Sequence, residues 1–254
     1  YSLGAGGVAT GSINVITLNM NRLVQQNRNL SEEVRKIHRY QVAFRKLIEE
    51  YKAGGLLPVY DAGFISLDKQ FLTIGINGMV EAAEYLGIAP TNNEQYKDFV
   101  RHHLKIIYEE NRKAREVYGY MFNTEFVPAE NLGVKNALWD KKDGLFSPRE
   151  CYNSYFYAVE DTQVNALDKI ILHGKEIIQY LDGGSALHLN LEETPNKEGF
   201  LKLLNATALA GCNYFCFNIR ITICNECNHI DKRTLFECPE CHSENVDHAT
   251  RVIG

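Results

Sequence analysis

Apolar residues recur along this chain in two periods, which predict helices and strands in turn. Spacings of three and four residues over 31–52 and 93–117 are typical of amphipathic helices. Uncharged β-branched runs or strict alternation, as in INVITLNM and SALHLNLEE, indicate strands with at least one buried face. Helices are predicted over residues 31–52, 68–85, 93–117, 165–181 and 196–210, and strands over 13–20, 120–127, 185–193 and 213–223.

The order of these elements predicts the fold class. Strands that alternate with helices favour an α/β architecture with parallel strands. Glycine pairs at 54–55 and 183–184 end two of the helices, and residues 1–12 are rich in glycine and small residues, which indicates a loop. Residues 129–155, which contain the only tryptophan, Trp139, are predicted to be irregular.

Composition and charge exclude several classes of protein. Hydrophobic residues make up 45% and charged residues 23% of the 254 residues, which excludes a disordered chain or a fibre. The formal net charge of −5 argues against a non-specific nucleic-acid binder. We find no apolar stretch that predicts a membrane span and no leader, and we therefore expect a cytoplasmic protein. Because the chain opens at Tyr1 and closes at Gly254, we interpret it as a piece of a longer polypeptide.

Four of the seven cysteines form the strongest local motif. Cys224-x2-Cys227 and Cys238-x2-Cys241 offer two pairs of thiolates, which is the ligand set of a structural zinc site without an open coordination position. Two disulfides or a pair of redox dithiols are the alternatives, and an intracellular composition and the doubled spacing make both less favourable. The other cysteines are interpreted as small buried residues: Cys151, Cys212 and Cys216.

Several segments together resemble one family. Residues 249–254 read ATRVIG and directly follow the cysteine cluster. With GSINVITLNMNRL, FNTEFVPAENLG, GGSALHLNLEE and AGCNYFCFNI before them, they resemble the C-terminal region of the anaerobic (class III) ribonucleoside-triphosphate reductases. The resemblance covers essentially the whole chain, and the combination of segments is specific although no single one is.

The resemblance implies a fold, a radical site and a set of partners. Residues 1–222 would form half of a ten-stranded α/β barrel of the glycyl radical enzyme type, residues 223–248 a zinc ribbon, and residues 249–254 the start of the radical loop. Gly254 matches the glycine whose α-carbon carries the radical after a radical-SAM activase removes a hydrogen atom. The cysteine that becomes the thiyl radical would precede Tyr1. A homodimer with ribonucleoside triphosphate substrate and dNTP or ATP effectors is also implied.

One departure from the family pattern bears on the reductant. Formate-using members resemble GRMNxGVVTVNL in this region, and Ser12 stands where that pattern has its asparagine. The departure favours a thioredoxin- or glutaredoxin-like dithiol donor over formate. Glu125 and Glu130, near the end of the strand NTEFVPAE, are the candidate carboxylates for moving the 2′-OH proton, although either could be a solvated loop acid. The facing of Asn19 and Asn123 is left open by the sequence.

Two other functions compete with this interpretation. The first is a different glycyl radical enzyme, such as a relative of pyruvate formate-lyase, which shares the radical loop but lacks a ribbon before it. The second is a zinc-ribbon interaction module on an α/β scaffold, which the many α/β elements upstream of Cys224 and the acidic balance disfavour.

Overall fold

The computed structural model describes residues 9–126, 129–158, 164–191 and 194–249. Its described part is a mixed α/β structure with two parallel sheets and one small antiparallel sheet. The helices are α1 (Met20–Gln25), α2 (Leu30–Ala53), α3 (Pro58–Asp61), α4 (Met79–Tyr85), α5 (Glu94–Tyr118), α6 (Glu130–Lys142), α7 (Ala166–Leu172), α8 (Lys175–Ile178) and α9 (Lys197–Ala210), with a 3-10 turn at Leu67–Lys69.

The strands fall into three sheets. The first sheet has the order β1-β2-β3-β4 with every neighbouring pair parallel, the second pairs β5 with β6 in parallel, and the third has the antiparallel order β8-β7-β9. Their ranges are β1 (Gly11–Asn19), β2 (Gln70–Asn77), β3 (Met121–Phe126), β4 (Gly184–Ser185), β5 (Leu187–Leu191), β6 (Phe215–Ile219), β7 (Ile221–Cys224), β8 (Ile230–Asp231) and β9 (Val246–Ala249).

The two long helices confirm the predictions over 31–52 and 93–117. Both begin at an asparagine whose side chain accepts a backbone N–H of the first turn, Asn29 from Glu32 and Asn93 from Tyr96. Helix α5 ends at Gly119, whose φ of 70° is the left-handed conformation that glycine adopts without a steric penalty.

The buried face of α2 differs from the one that its apolar stripe predicts. Val34 and Ile37 are buried, but Tyr40 and Phe44 are exposed. Polar residues take the inner positions instead, and each finds a partner there. The Nε2 of Gln41 donates to the Thr73 carbonyl, Arg45 donates to the Leu67 carbonyl, and His38 contacts Asn111: these three residues, His38, Gln41 and Arg45, are all buried.

The prediction of a helix over 68–85 is wrong in its first half. Residues Gln70–Asn77 form β2, the strand between β1 and β3, and only Met79–Tyr85 is helical. Every residue of β2 is buried. From Leu72 to Asn77 apolar residues alternate with polar or small ones, which is the period of a strand, and the helix begins only after Gly78.

Four other boundaries also differ from the predictions. Residues 129–155 are not wholly irregular, because α6 occupies Glu130–Lys142. The helix predicted over 165–181 is broken between α7 and α8, the strand over 185–193 divides into β4 and β5, and the strand over 213–223 divides into β6 and β7. The last division separates two sheets, since β6 pairs with β5 while β7 pairs with β8 and β9.

The first sheet has two chemically different faces. Leu72, Ile74 and Ile76 of β2 are almost completely buried, and they belong to the apolar core that also includes residues of α2 and α5. On the opposite face the same strand presents Thr73, which is hydrogen-bonded to Asn123 of β3. Because side chains alternate across a strand, Thr73, Asn123 and Glu125 lie on one surface of the sheet, where Ser12 of β1 also contacts Thr73. We call this surface the polar face.

A buried carboxylate ties α6 to the end of β1. Asp140 has no exposed surface and accepts hydrogen bonds from the side chains of Asn19, Asn21, Arg22 and Tyr152, at 2.6–3.1 Å. These donors come from the last residue of β1, from α1 and from the segment after α6. With this many donors, the cost of burying the charge is offset by charge-assisted hydrogen bonds.

Within the described residues, no helix combines the length and the apolar character that crossing a bilayer requires.

Removing the Asp140 carboxylate should destabilise the fold strongly, because it leaves Arg22 and several buried donors without their acceptor. We expect Asp140→Ala to lower the free energy of unfolding by about 3 kcal/mol, measured by urea denaturation. Asp143→Ala is the matched control: Asp143 also pairs with Arg22, at 2.7 Å, but it is 52% exposed, so its loss should cost less than about 1 kcal/mol. Equal losses of unfolding free energy in the two variants would contradict the role assigned to Asp140.

Candidate active-site face and metal centre

Three side chains are linked by a continuous line of hydrogen bonds across the polar face, which we call the hydrogen-bond file. The Ser12 Oγ lies 2.6 Å from the Thr73 Oγ1, and the Thr73 Oγ1 donates to the Asn123 Oδ1 at 2.6 Å. Thr73 and Asn123 are register partners on β2 and β3. Ser12 of β1 is paired with Phe71, next to a register shift between Ser12 and Asn14, and reaches Thr73 diagonally.

Glu125 lies on the same face, two residues after Asn123. It is 5% exposed, and within the described residues its Oε1 has no hydrogen-bond partner. Burial raises the pKa of Glu125 from 4.5 to about 7, and the hydroxyl of Ser12 acts in the opposite direction. A carboxyl group with a pKa near 7 can both give and accept a proton at neutral pH, which is the property of a general acid or base.

Glycine 183 makes room for these groups. A Cβ placed on Gly183 would lie 2.3 Å from the Glu125 Cγ and 2.9 Å from the Asn123 Nδ2. No side chain other than hydrogen fits at that position while Asn123 and Glu125 keep their places. The sequence GGS before the strand LHLNL therefore has a packing reason in addition to ending a helix.

The structure describes the other predicted site residues only in part. Glu130 is the first residue of α6, and its side chain is not among those described. Gly254 lies outside the described residues, so its role as the radical position stays a prediction. Asn19, whose facing the sequence left open, donates to Asp140 and caps α1, whereas Asn123 points onto the polar face.

The four predicted metal ligands come together at the end of the chain. The Sγ atoms of Cys224, Cys227, Cys238 and Cys241 all lie within 4.8 Å of one another, with Cys224–Cys241 at 3.5 Å and Cys227–Cys238 at 3.6 Å. A tetrahedral zinc site with Zn–S bonds of about 2.3 Å requires sulfurs about 3.8 Å apart, and a disulfide requires about 2.05 Å. The donor set therefore fits zinc and does not fit the disulfide alternative.

The two halves of this cluster repeat one backbone geometry. Cys224 donates its N–H to the His229 carbonyl and accepts from Asn228, and Cys238 does the same with Ser243 and His242. Asn228 and His242 both have a left-handed backbone, with φ of 59° and 58°. The backbone N–H of Cys227 points at the Cys224 sulfur and lowers the pKa of that thiol to about 6, which favours the thiolate that binds a metal.

Sequence reasoning missed two residues that the structure brings into these sites. Thr73 was hidden because its segment was predicted to be helical, and Asp140 because its segment was predicted to be irregular. The three other cysteines lie outside the cluster and are half-buried rather than buried: Cys151, Cys212 and Cys216.

The raised pKa of Glu125 predicts a pH dependence of stability. The native protein keeps this proton where the unfolded chain has released it, so the stabilisation is complete below about pH 4.5 and is lost as the pH rises through about 7. Glu125→Gln should therefore reduce the fall in the free energy of unfolding between about pH 5 and pH 8 by about 2 kcal/mol. Urea denaturation at both pH values measures it, with Glu109→Gln, on the exposed face of α5, as the control. If Glu125→Gln shows the same fall in the free energy of unfolding as the wild type, the raised pKa of the Glu125 carboxyl is wrong.

The cysteine cluster predicts bound zinc that supports local folding. Elemental analysis should find about one zinc ion per chain, and Cys238→Ser should lose it together with the ordered backbone of residues 221–249, seen as faster amide hydrogen exchange. Cys212→Ser is the control, because a serine hydroxyl can replace the bond from the Cys212 thiol to the Ile170 carbonyl. Zinc retained by Cys238→Ser would contradict the assignment.

Comparison with known proteins gives the same family from sequence and from structure. Residues 3–254 match the sequence profile described as anaerobic ribonucleoside-triphosphate reductase. The anaerobic ribonucleotide reductase from Thermotoga maritima in complex with dATP and CTP is 30% identical, with a TM-score of 0.84 over 99% of this chain and 43% of its own. Another solved anaerobic ribonucleotide reductase is 30% identical, with a TM-score of 0.85 over 98% of this chain and 41% of its own.

The solved structures that match are all longer than this chain. The Thermotoga maritima enzyme with MES in its active site is 31% identical, with a TM-score of 0.84 over 98% of this chain and 44% of its own. The chain thus spans less than half the length of the solved structures that it matches. No curated protein matches it. The match over residues 3–254 nevertheless covers almost all of the chain, and the chain belongs to the anaerobic ribonucleoside-triphosphate reductase family.

Proposed function

We propose that this chain is the C-terminal part of an enzyme that reduces ribonucleoside triphosphates to deoxyribonucleotides by glycyl and thiyl radical chemistry, for DNA precursor synthesis. The observation that carries the proposal is the polar face: in a chain of this family, a hydrogen-bonded file from Ser12 to Asn123 lies beside a buried carboxyl whose pKa is about 7. Residues 1–222 would be part of a ten-stranded barrel, 223–248 the zinc ribbon and 249–254 the start of the radical loop.

The proposed reaction assigns a task to each group. A radical-SAM activase removes a hydrogen atom from Gly254, and the radical passes to a cysteine thiol that precedes Tyr1. The resulting thiyl takes the 3′ hydrogen atom of the ribose, and the 2′-OH leaves as water after it gains a proton. Glu125 supplies that proton, because burial raises the pKa of its carboxyl group to about 7. Glu130, the first residue of α6, is the second candidate carboxyl in this proposal.

The electrons for the reduction come from a dithiol in this proposal. Replacing the 2′-OH by hydrogen consumes two electrons and two protons, and a thioredoxin- or glutaredoxin-like protein supplies both when its dithiol becomes a disulfide. Formate is the less favoured donor, because Ser12 stands in the position of the asparagine of formate-using members. The Ser12 hydroxyl is hydrogen-bonded to Thr73, so it belongs to the hydrogen-bond file of the polar face.

Effectors and assembly follow the relatives. The Thermotoga maritima enzyme is described in complex with dATP and CTP, and we propose a ribonucleoside triphosphate as substrate and dNTP or ATP as effectors here. A homodimer and a cytoplasmic location, where nucleotide substrates are available, complete the proposal. When bound, zinc supplies only structural support, because four sulfur ligands leave no coordination position for substrate.

The test is anaerobic turnover by the full-length protein. With its activase, S-adenosylmethionine and a one-electron reductant, the protein should convert labelled CTP to dCTP when a dithiol donor is present and should not do so with formate alone. Gly254→Ala should form no product above the unactivated background while it retains zinc, which shows that the variant is folded.

Three results would contradict the proposal. Product formation by Gly254→Ala would exclude Gly254 as the radical position. Turnover with formate alone would overturn the assignment of the reductant. No dCTP from the wild type, with an activase that is competent on another substrate, would overturn the reductase function and leave the interaction-module alternative.

A further inference from the structure

A groove between α2 and α5 carries clustered positive charge. Its volume is about 200 Å³, and a second cavity of about 370 Å³ adjoins it, since Arg35 and Arg39 line both. Lys113 of α5 lines the first cavity with them. The two helices cover the apolar face of the first sheet, so the groove is separated from the polar face by the sheet itself. The proposed reaction therefore leaves this groove without a task.

A buried carboxylate fixes the place of two of these cations. The Glu110 side chain, on α5, is only 8% exposed. Its Oε1 accepts from the Lys113 Nζ at 2.8 Å, and its Oε2 lies 3.6 Å from the Arg35 Nε. Because the carboxylate is held inside the structure, it draws one cation from each helix to the same side of the groove.

The rest of the positive charge has no counterion inside the groove. Among the residues that the structure describes, Arg39 makes no hydrogen bond or ion pair, and Arg35 uses only its Nε, on Glu110 and on the Ser31 carbonyl. Arg35 and Arg39 are four residues apart on one face of α2, where like charges repel each other. Glu32 lines only the outer cavity. An anion between the two guanidinium groups would remove this repulsion.

The chemistry of the lining fits a polyphosphate group. A guanidinium group binds phosphate oxygens through paired N–H donors, and a lysine adds a point charge. Arg35, Arg39 and Lys113 together offer more charge than a single carboxylate ligand would neutralise. At the other end the lining is apolar, with Val117 73% exposed and the Tyr118 ring 37% exposed. Cations beside an exposed ring are the groups that a nucleotide needs.

We infer that the groove between α2 and α5 binds a polyphosphate group through Arg35, Arg39 and Lys113. Nucleoside triphosphates and inorganic polyphosphate both carry this group, and only a nucleotide has a base to place against Tyr118. The inference goes beyond the proposed function and does not depend on it, because the groove and the polar face lie on different sides of the sheet.

The test locates binding by amide hydrogen exchange. Full-length protein without activation is titrated with inorganic tripolyphosphate and, separately, with ATP, and exchange is followed over residues 31–40 and 110–119. Each ligand should slow exchange in both segments, and the midpoint of the effect gives its dissociation constant. Arg39→Gln should raise that constant about 10-fold for both ligands. Tighter binding of ATP than of tripolyphosphate would assign a nucleotide to the groove, and equal constants would assign the polyphosphate alone.

The variant and its control separate binding from folding. Arg39 has no partner in the described part of the chain, so Arg39→Gln should keep the free energy of unfolding, measured by urea denaturation. Lys36→Gln is the matched control. It removes one positive charge from the same helix, but Lys36 pairs with Glu33 at 2.5 Å and does not line the groove. It should keep the wild-type dissociation constant within about 2-fold.

Three results would overturn the inference. They are exchange that neither ligand slows in the two segments, a dissociation constant that is the same in Arg39→Gln and in the wild type, and an equal loss of binding in Lys36→Gln. None of them bears on the conversion of CTP to dCTP, so the inference and the proposed function fail separately.

Discussion

The structure depends on the chemical difference between the two faces of its first parallel sheet. One side of β2 is apolar and packs beneath the long helices α2 and α5, which leaves the other side for polar groups. Parallel alignment brings Thr73 and Asn123 together as register partners, and Ser12 contacts Thr73 diagonally, although the three are about 50–60 residues apart in the chain. The same alignment collects the strand ends, where Asp140 ties α6 to β1.

Burial gives this polar face its chemistry. A carboxyl group on a solvated loop would titrate near its ordinary value, but Glu125 is enclosed and its pKa rises to about 7. The hydroxyl file adds a hydrogen bond from Thr73 to the Asn123 amide oxygen. The cysteine cluster is different in kind: its short strands are too few to bury a core, and its four sulfurs lie at distances that fit a zinc ion, which would hold the segment together.

The sequence predicted the long helices and the metal ligands well, because both have strong local signals: spaced apolar residues and two CxxC motifs. It failed at β2, where a short alternating run lies directly before helix α4, and at α6, whose inner positions are the polar residues Asn136 and Asp140 while Leu138 and Trp139 are exposed. Ser12 and Glu125 were found through family resemblance. Thr73 was not, since its contacts depend on strand register, which no local pattern encodes.

The central claim is that this chain carries the radical store of a nucleotide reductase at Gly254. Electron paramagnetic resonance of the activated full-length protein tests it most directly, with protein grown on ordinary glycine and on glycine deuterated at the α-carbon. A doublet near the free-electron g value that collapses to a single line on deuteration is the expected result, because one α-hydrogen splits the signal of a glycyl radical. A signal that is unchanged by deuteration, or no signal from a fully zinc-loaded protein with a competent activase, would contradict the account.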